Sequence, residues 1–201
     1  MVCAAGPRGL ELGGELGDAV ICEAGLGADQ VETARAAVAT GARRAGRSPA
    51  DIQMWWYART SIGETEDEAL DQALSSIAAA GAFLARADPG LADVPEHLRH
   101  GLRTLGERYD MAAHLRTDLE NPNRRLVDDD RLRTFLIERT GIVGDPSAWR
   151  SRLVALADLG VENLLCVGAG GDKARFIDLV GREVIAPISR PRRRVGQVRA
   201  A

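Results

Sequence analysis

The sequence has few aromatic residues, few cysteines and no long hydrophobic run. Aromatics make up 4% of the 201 residues, so Ala, Leu, Val and Ile must form most of the core. Three cysteines without a CxxC pair argue against a disulfide framework or a zinc site. Because each lies in a short apolar stretch, we expect buried, reduced thiols at Cys3, Cys22 and Cys166. The longest apolar run, Ile77 to Ala85, is far shorter than the roughly 18 residues that a membrane span needs.

Neither positive nor negative charge is in large excess. The formal net charge is −3, which gives no overall attraction to nucleic acid or anionic lipid. The first residues, MVCAAGPRG, lack the basic segment followed by an apolar segment that marks a signal peptide. We therefore expect a cytoplasmic globular protein with neither a nucleic-acid partner nor a membrane partner.

Short apolar runs alternate with helical periodicity along most of the chain. The runs predict strands at 2–5, 18–22, 52–60 and 161–167, and the periodic segments predict helices at 8–16, 30–44, 65–87, 148–159 and 173–184. Such alternation is typical of a parallel sheet with right-handed crossovers. Four strand–helix units equal half of an eight-stranded α/β barrel, or a small open sheet.

Residues 88–140 differ from the rest of the chain. They are polar, interrupted by prolines and asparagines, and helical in pattern at 96–115 and 126–139, which predicts a helical insertion before the last strand. Residues 141–147 are predicted to form a loop that leads into a helix capped by Asp145, with Pro146 in its first turn. The basic segment 189–201 is expected to be a disordered tail.

Three glycines recur every four residues in the first predicted helix. Gly9, Gly13 and Gly17 fall on one helical face, although each glycine weakens a helix by about 1 kcal/mol relative to Ala. This spacing predicts that the helix backbone lies close to the sheet.

Two loops that follow strands are candidates for phosphate binding. Residues 4–7 join a strand to a helix N-terminus, where backbone N–H groups can hold an anion, although a purely structural turn has the same pattern. The loop Gly168–Gly171 occupies an equivalent position, and neither a P-loop nor a GxGxxG motif is present. His97 and His100 are expected on a solvated helix face, whereas His114 is a candidate pocket residue.

Three segments of the chain carry a family resemblance when they are taken together. They are CAAGPR with GELGDAVI (residues 3–21), RSPADI with EDEA (residues 47–69) and IVGDP with LGVENL (residues 142–164). In this order they resemble the luciferase-like flavin and deazaflavin oxidoreductases, in which a strand ending in Ala-Ser/Thr-Gly-Pro leads into a helix ending Ala-Gly-Glu-x-Ala/Gly-Asp-Gly. The resemblance covers residues 2 to about 188, so that 1–188 is expected to be one luciferase-like domain.

The resemblance implies an eight-stranded α/β barrel that binds FMN or coenzyme F420 at the carboxyl ends of its strands. The matched segments correspond to the C-terminal half of that barrel, strands five to eight. The cofactor-binding residues that the resemblance implies are Ala4, Ala5, Gly6, Pro7, Glu23, Ala24 and Gly25. Ala5 stands where the family usually has Ser or Thr, so one hydroxyl donor is missing. No catalytic residue can be carried over, because the family's acid and base residues lie in the first four strands.

The resemblance implies an oxidoreductase that transfers a hydride to a small organic substrate or monooxygenates it. A half-barrel would expose two strand edges and its apolar interior, so we expect a truncated enzyme, inactive alone, that lacks its N-terminal half or forms a homo-oligomer. The alternative is a non-enzymatic remnant or oligomerising partner subunit. A third interpretation is a nucleic-acid accessory protein acting through Arg190–Arg194.

Overall fold

The computed structural model describes residues 1–88 and 90–189, so residues 190–201 of the predicted tail, including the run Arg190–Arg194, lie outside the described residues. Short apolar segments form a sheet in which every described pairing is parallel, as the alternation of strands and helices predicts. The strands are β1 (Val2–Ala4), β2 (Ala19–Cys22), β3 (Gln53–Ile62), β4 (Gly141–Gly144) and β5 (Asn163–Gly168).

The strand registers determine the order of the sheet. Trp55 and Trp56 pair with both β2 and β5, and Arg59 and Thr60 pair with both β4 and β5. Because a strand has only two edges, β2 and β4 follow one another along one edge of β3, and β5 occupies the other. Apart from β4, the strands therefore run in the order β1, β2, β3, β5.

The prediction of a loop at 141–147 was wrong for its first four residues, which form strand β4. It has only two apolar residues, Ile142 and Val143, which is too short a signal to indicate a strand. It forms because β3 extends beyond the end of β2 and offers free backbone groups at Arg59–Ile62, with which β4 pairs. The helix that follows begins as predicted, since the Asp145 carboxylate accepts a hydrogen bond of 2.8 Å from the Ala148 N–H.

The helices agree with the sequence pattern except near the insertion. They are α1 (Pro7–Leu16), α2 (Ala28–Arg44), α3 (Glu66–Ala87), α4 (Glu96–Arg108), α5 (Asp130–Thr140), α6 (Pro146–Asp158), α7 (Lys173–Leu179) and α8 (Ala186–Ser189), with a π-helical segment at Val180–Ile185. The α4 helix ends at Arg108 rather than near residue 115. Two buried asparagines compete for the backbone there: Asn123 accepts from the Asp110 N–H, and Asn121 donates to the Ala113 and Arg116 carbonyls.

The described residues form two hydrophobic clusters. The first packs the sheet against α1, α2 and α6, around Trp56, Trp149 and Leu156. The second joins α3, α4 and α5, around Ile77 and Leu102. Helix α3, predicted as an ordinary member of the strand–helix series, thus gives most of its buried residues to the helical layer that contains 88–140. Between β3 and β5 the chain crosses through α6 instead.

Among the described residues, helices cover one face of the sheet and leave the other uncovered. Alternate residues Val20, Cys22, Trp56 and Ala58 belong to the first cluster. The residues between them point to the other side, because neighbouring side chains in a strand point to opposite faces. We call this side the inner face, and its register-aligned residues are Cys3, Ile21, Trp55, Tyr57, Leu165 and Val167. Leu165 and Val167 are 37% and 40% exposed.

This two-sided sheet explains why the prediction of three buried thiols was wrong for two of them. Cys22 points to the covered face and is buried, whereas Cys3 points to the inner face and is exposed. Cys166 lies on the edge strand β5 and is also exposed. A run of apolar residues does not distinguish the two faces of a strand or an edge strand from a central one.

Close contact of α1 with the sheet is confirmed. A Cβ atom on Gly13 would lie 2.9 Å from a Val20 methyl group. A contact that the spacing did not predict joins α1 to α2, where a Cβ on Gly14 would lie 2.0 Å from the Val38 carbonyl oxygen. None of the described helices is long and apolar enough to cross a membrane.

Candidate functional site

A cavity of about 520 Å³ lies at the carboxyl ends of β1 and β2. Its sheet side is formed by the β1–α1 turn, the residues after β2 and the first turns of α2. Its other side is formed by the end of α3 and the end of α5, including Phe83, Leu84 and Arg139. The helical layer therefore overhangs the ends of the strands. The volume is within the range of small-molecule sites, roughly 300–1,000 Å³.

The N-terminus of α1 opens into this cavity. Gly6 is the N-cap in extended conformation, without a side-chain cap, and Pro7 occupies the first helical position. The Leu10 N–H bonds to the Gly6 carbonyl, whereas the N–H groups of Arg8 and Gly9 have no acceptor within the helix. No atom lies within 4 Å of the position of a Cβ on Gly6, so an anion could approach these donors without a steric barrier.

An ion pair lines the same cavity. Glu23 follows β2 directly, and its carboxylate accepts a hydrogen bond of 3.0 Å from Arg59 of β3. The guanidinium of Arg59 also lies 5.1 Å from the centre of the Tyr57 ring. The two charged side chains are mostly buried, with 13% of Arg59 and 23% of Glu23 exposed. Their positive and negative charges therefore face the ligand space from the sheet.

The helical layer contributes a second buried arginine. Arg139 of α5 lies 3.9 Å from the Asp93 carboxylate and 6.0 Å from the centre of the Phe135 ring. Burial lowers the pKa of Arg139, and the nearby carboxylates of Asp93 and Asp88 partly oppose that change. The Arg139 carbonyl accepts a short hydrogen bond of 2.6 Å from the Leu26 N–H, which fixes the end of α5 to the loop after β2.

Five of the seven residues expected to bind cofactor line the cavity: Ala5, Gly6, Pro7, Glu23 and Ala24. Ala4 lies in β1 and packs against the first cluster. Gly25 has a φ of +125°, and a Cβ there would lie 3.0 Å from the Arg139 carbonyl oxygen. Glycine is therefore required at this position by the backbone conformation and by the close approach of α5.

Sequence reasoning missed the two arginines of the cavity. Arg59 lies in an aromatic strand, a pattern typical of core, and Arg139 lies near the end of a polar helix. The signal that could have found Arg59 is a charge in a mostly apolar strand, near the same sheet end as Glu23. His114 was a wrong candidate for the cavity: its Nδ1 lies 2.7 Å from the Tyr109 hydroxyl oxygen.

The remaining candidate motifs are structural or solvated. His97 and His100 are exposed on α4, as expected. In the loop after β5, Lys173 Nζ donates to the carbonyls of Gly168 and Gly170 at 2.5 and 2.7 Å. The loop is thus closed by its own lysine. Within residues 1–88 and 90–189, no group of three or more His, Cys, Asp or Glu residues is arranged to hold a metal ion.

The donor set fits a ligand with an anionic group and an apolar ring system. Free helix-terminal N–H groups and a guanidinium offer hydrogen bonds to oxygen anions, and Phe83, Leu84 and Leu10 offer apolar surface. A sequence model of the luciferase-like monooxygenase family matches residues 1–163. The chain belongs to this family.

Two relatives that match the chain are named as reductases. The chain is 31% identical over 183 residues to the 5,10-methylenetetrahydromethanopterin reductase of Methanolobus tindarius, covering 90% of this chain and 52% of that protein. It is 33% identical over 184 residues to the reductase of the same name from Methanopyrus kandleri, covering 90% of this chain and 48% of the relative. The chain thus spans about half the length of the relatives it matches.

Solved structures confirm the α/β fold with a parallel sheet. The structure of the coenzyme F420-dependent tetrahydromethanopterin reductase from Methanopyrus kandleri superposes with a TM-score of 0.64 at 31% identity, covering 92% of this chain and 49% of that one. An F420-dependent secondary alcohol dehydrogenase has a TM-score of 0.60 at 15% identity, covering 94% of this chain and 48% of that one. The second similarity shows the fold alone.

Proposed function

We propose that this chain carries part of the active site of a coenzyme F420-dependent oxidoreductase that reduces a small organic substrate. The observation that supports this most strongly is the cavity at the α1 N-terminus, lined by five residues that family resemblance implies for cofactor binding. Relatives above 30% identity are reductases, and one such structure is named as F420-dependent. These names favour reduction over monooxygenation, and F420 over FMN.

The proposed roles follow from the donors at each position. The N–H groups of Arg8 and Gly9 would hold the cofactor phosphate, aided by the positive end of the α1 dipole. Backbone donors would replace the hydroxyl that Ala5 lacks. Phe83 and Leu84 would contact a ring system and limit water access. Bound F420 in its reduced form supplies a hydride, and the protein would position the two reactants.

The sheet would form strands five to eight of the family's barrel. Two features support this: the strand order β1, β2, β3, β5 and the uncovered apolar inner face. Closing a barrel would require four more strands, from a separate N-terminal half or from a second copy. On this proposal the chain is inactive until the inner face is covered. We also propose the cytoplasmic location that the sequence led us to expect.

The uncovered face also favours a second candidate, a non-enzymatic subunit that oligomerises through it. An apolar sheet face with free edges is a surface that associates with other chains whether or not a cofactor binds. This candidate predicts self-association without affinity for F420 or FMN.

A fluorescence titration with F420 and with FMN tests the first proposal. We expect saturable binding of F420 with a Kd of about 1–100 μM, and weaker binding of FMN. Gly6→Val should weaken binding at least tenfold, because its side chain would enter the open space in front of the α1 N–H groups. Gly171→Val is the matched control, since a Cβ at that glycine also meets no atom within 4 Å.

Binding of neither chromophore would contradict the cofactor proposal and favour the non-enzymatic candidate. Tighter binding of FMN would contradict the choice of F420. An equal loss in both variants would show that the effect of Gly6→Val is not specific to the α1 N-terminus.

A further inference from the structure

Arg59 is a mostly buried cation that the protein satisfies only in part. A guanidinium has five N–H donors, and the described residues give that of Arg59 one hydrogen bond, to Glu23 Oε1 at 3.0 Å. The Tyr57 ring contacts its face, which restricts the plane of the guanidinium and leaves donors at its edge. None of these unpaired nitrogens is among the fully buried polar atoms of the described residues, so they remain accessible to a ligand in the cavity that Arg59 lines.

Two buried arginines that do not line the cavity are better satisfied. Arg124, whose side chain is 11% exposed, donates to both the carbonyl and the carboxylate of Asp71, at 2.8 and 2.5 Å. Arg152 donates to the carbonyls of Glu138 and Leu26, at 2.7 and 3.2 Å. These arginines join helices and loops, whereas Arg59 has its spare donors next to space for a ligand.

The acidic residues around the cavity do not take this role. Asp29 and Asp93 are exposed, where water screens their charge, and Asp93 lies near Arg139. Asp88 accepts hydrogen bonds from the Gly90 and Ala92 N–H groups. Glu23 thus remains the carboxylate that contacts Arg59, and it accepts one of five donors.

We propose that Arg59 binds an oxygen anion of the ligand, a phosphate or a carboxylate, through the edge of its guanidinium, while Glu23 and Tyr57 hold it in place. Arginine suits this role because its planar edge can donate two parallel hydrogen bonds to one anion. The proposal rests on the proposed function in that it places this contact in the same cavity. The anion has two possible sources, the cofactor or an acidic substrate.

Inorganic phosphate is the first probe, because it requires no cofactor. Thermal unfolding is followed against phosphate concentration, with chloride added to keep ionic strength constant. We expect saturable stabilisation of the wild type, with the apparent Kd for phosphate raised about tenfold or more in Arg59→Gln. Arg59→Lys should fall between the two, because it keeps the charge and loses the planar pair of donors.

Arg44→Gln is the matched control. Arg44 makes a similar pair with Glu11 at 2.6 Å, but on the exposed surface between α1 and α2, and its substitution should change the apparent Kd by less than twofold. Any loss of fold stability in Arg59→Gln is separated from binding, because each variant is compared with itself without phosphate. An unchanged Kd in Arg59→Gln, or no saturable effect of phosphate on the wild type, would overturn the proposal.

The second probe identifies the source of the anion. Coenzyme F420 and its phosphate-free chromophore are titrated into the wild type and Arg59→Gln. Weaker binding of F420 alone in the variant assigns the anion to the cofactor, whereas unchanged binding of both assigns it to the substrate. If the wild type binds neither chromophore while phosphate stabilisation still depends on Arg59, the proposed function fails and the anion site stands.

Discussion

The two faces of the sheet contain the same kinds of residue in different surroundings. Trp56 points to the helices and is 1% exposed, at the centre of the first cluster. Its neighbour Trp55 points to the inner face, is only partly buried, and has an indole N–H without an acceptor among the described residues. An unpaired polar atom does not itself distinguish the faces, because Thr60 Oγ1, on the covered side, is also without a partner among the described residues. The exposure of the side chains does distinguish them: the helices of the described chain cover one face and leave the other open.

The largest difference should appear when the two tryptophans are compared. Trp56→Ala should lower the free energy of unfolding by about 3–5 kcal/mol, because it leaves a large cavity in the core. Trp55→Ala should cost less than about 2 kcal/mol, because it removes a partly exposed ring and an unpaired N–H. Urea unfolding at low protein concentration measures both. Equal losses would show that the inner face is as well packed as the covered one.

The buried thiol of the covered face should make stability depend on pH. Burial raises the pKa of Cys22 from 9.0 to about 11. A raised pKa in the folded state favours folding while the thiol is protonated, so this contribution is complete below pH 9 and is lost as pH rises to 11 and above. Its size is about 2–3 kcal/mol.

The measurement is the free energy of unfolding from pH 8 to pH 11 for the wild type and Cys22→Ala. The difference between them should change across this range. Val20→Ala, which removes methyl groups from the same strand and cluster, should keep the wild-type dependence on pH. A wild type and a Cys22→Ala variant with parallel curves would contradict the raised pKa.

Two glycines compare the packed side of α1 with its open end. Gly14→Ala should destabilise the fold by about 1–3 kcal/mol, because the added carbon meets a backbone oxygen of α2. Gly6→Ala should leave the stability unchanged, since a Cβ there meets open space. Thermal unfolding of both variants, compared with the wild type, measures these two effects. A Gly14→Ala variant as stable as the wild type would mean that α1 and α2 are less tightly packed than described.

Local signals in the sequence predicted the elements that depend on local chemistry. Asp145 caps its helix as expected, and the alternation of strands and helices predicted a parallel sheet. Two other features depend on partners that are not adjacent in sequence. Strand β4 depends on the free backbone groups of β3 at Arg59–Ile62, and the early end of α4 depends on the buried Asn121 and Asn123. No periodicity within a short segment contains that information.

The candidate site was predictable to the same extent. The turn at Gly6 was predicted because it directly follows a strand, Glu23 was implied by the family resemblance, and the cavity contains both. Arg59 required the register, because only the pairing of β3 with its neighbours shows which residues share a face and where they meet the helical layer. The proposal that a further layer covers the inner face likewise rests on no local pattern.

The most direct test of the unfinished inner face is the association of the purified chain, measured by sedimentation velocity over a range of concentrations. The wild type should associate as concentration rises, and Leu165→Asp should remain monomeric while its unfolding free energy changes by less than about 1 kcal/mol. Val154→Asp, at an exposed position on α6, should associate like the wild type. A wild type that remains monomeric at all concentrations, or a Leu165→Asp variant that associates equally well, would contradict the account.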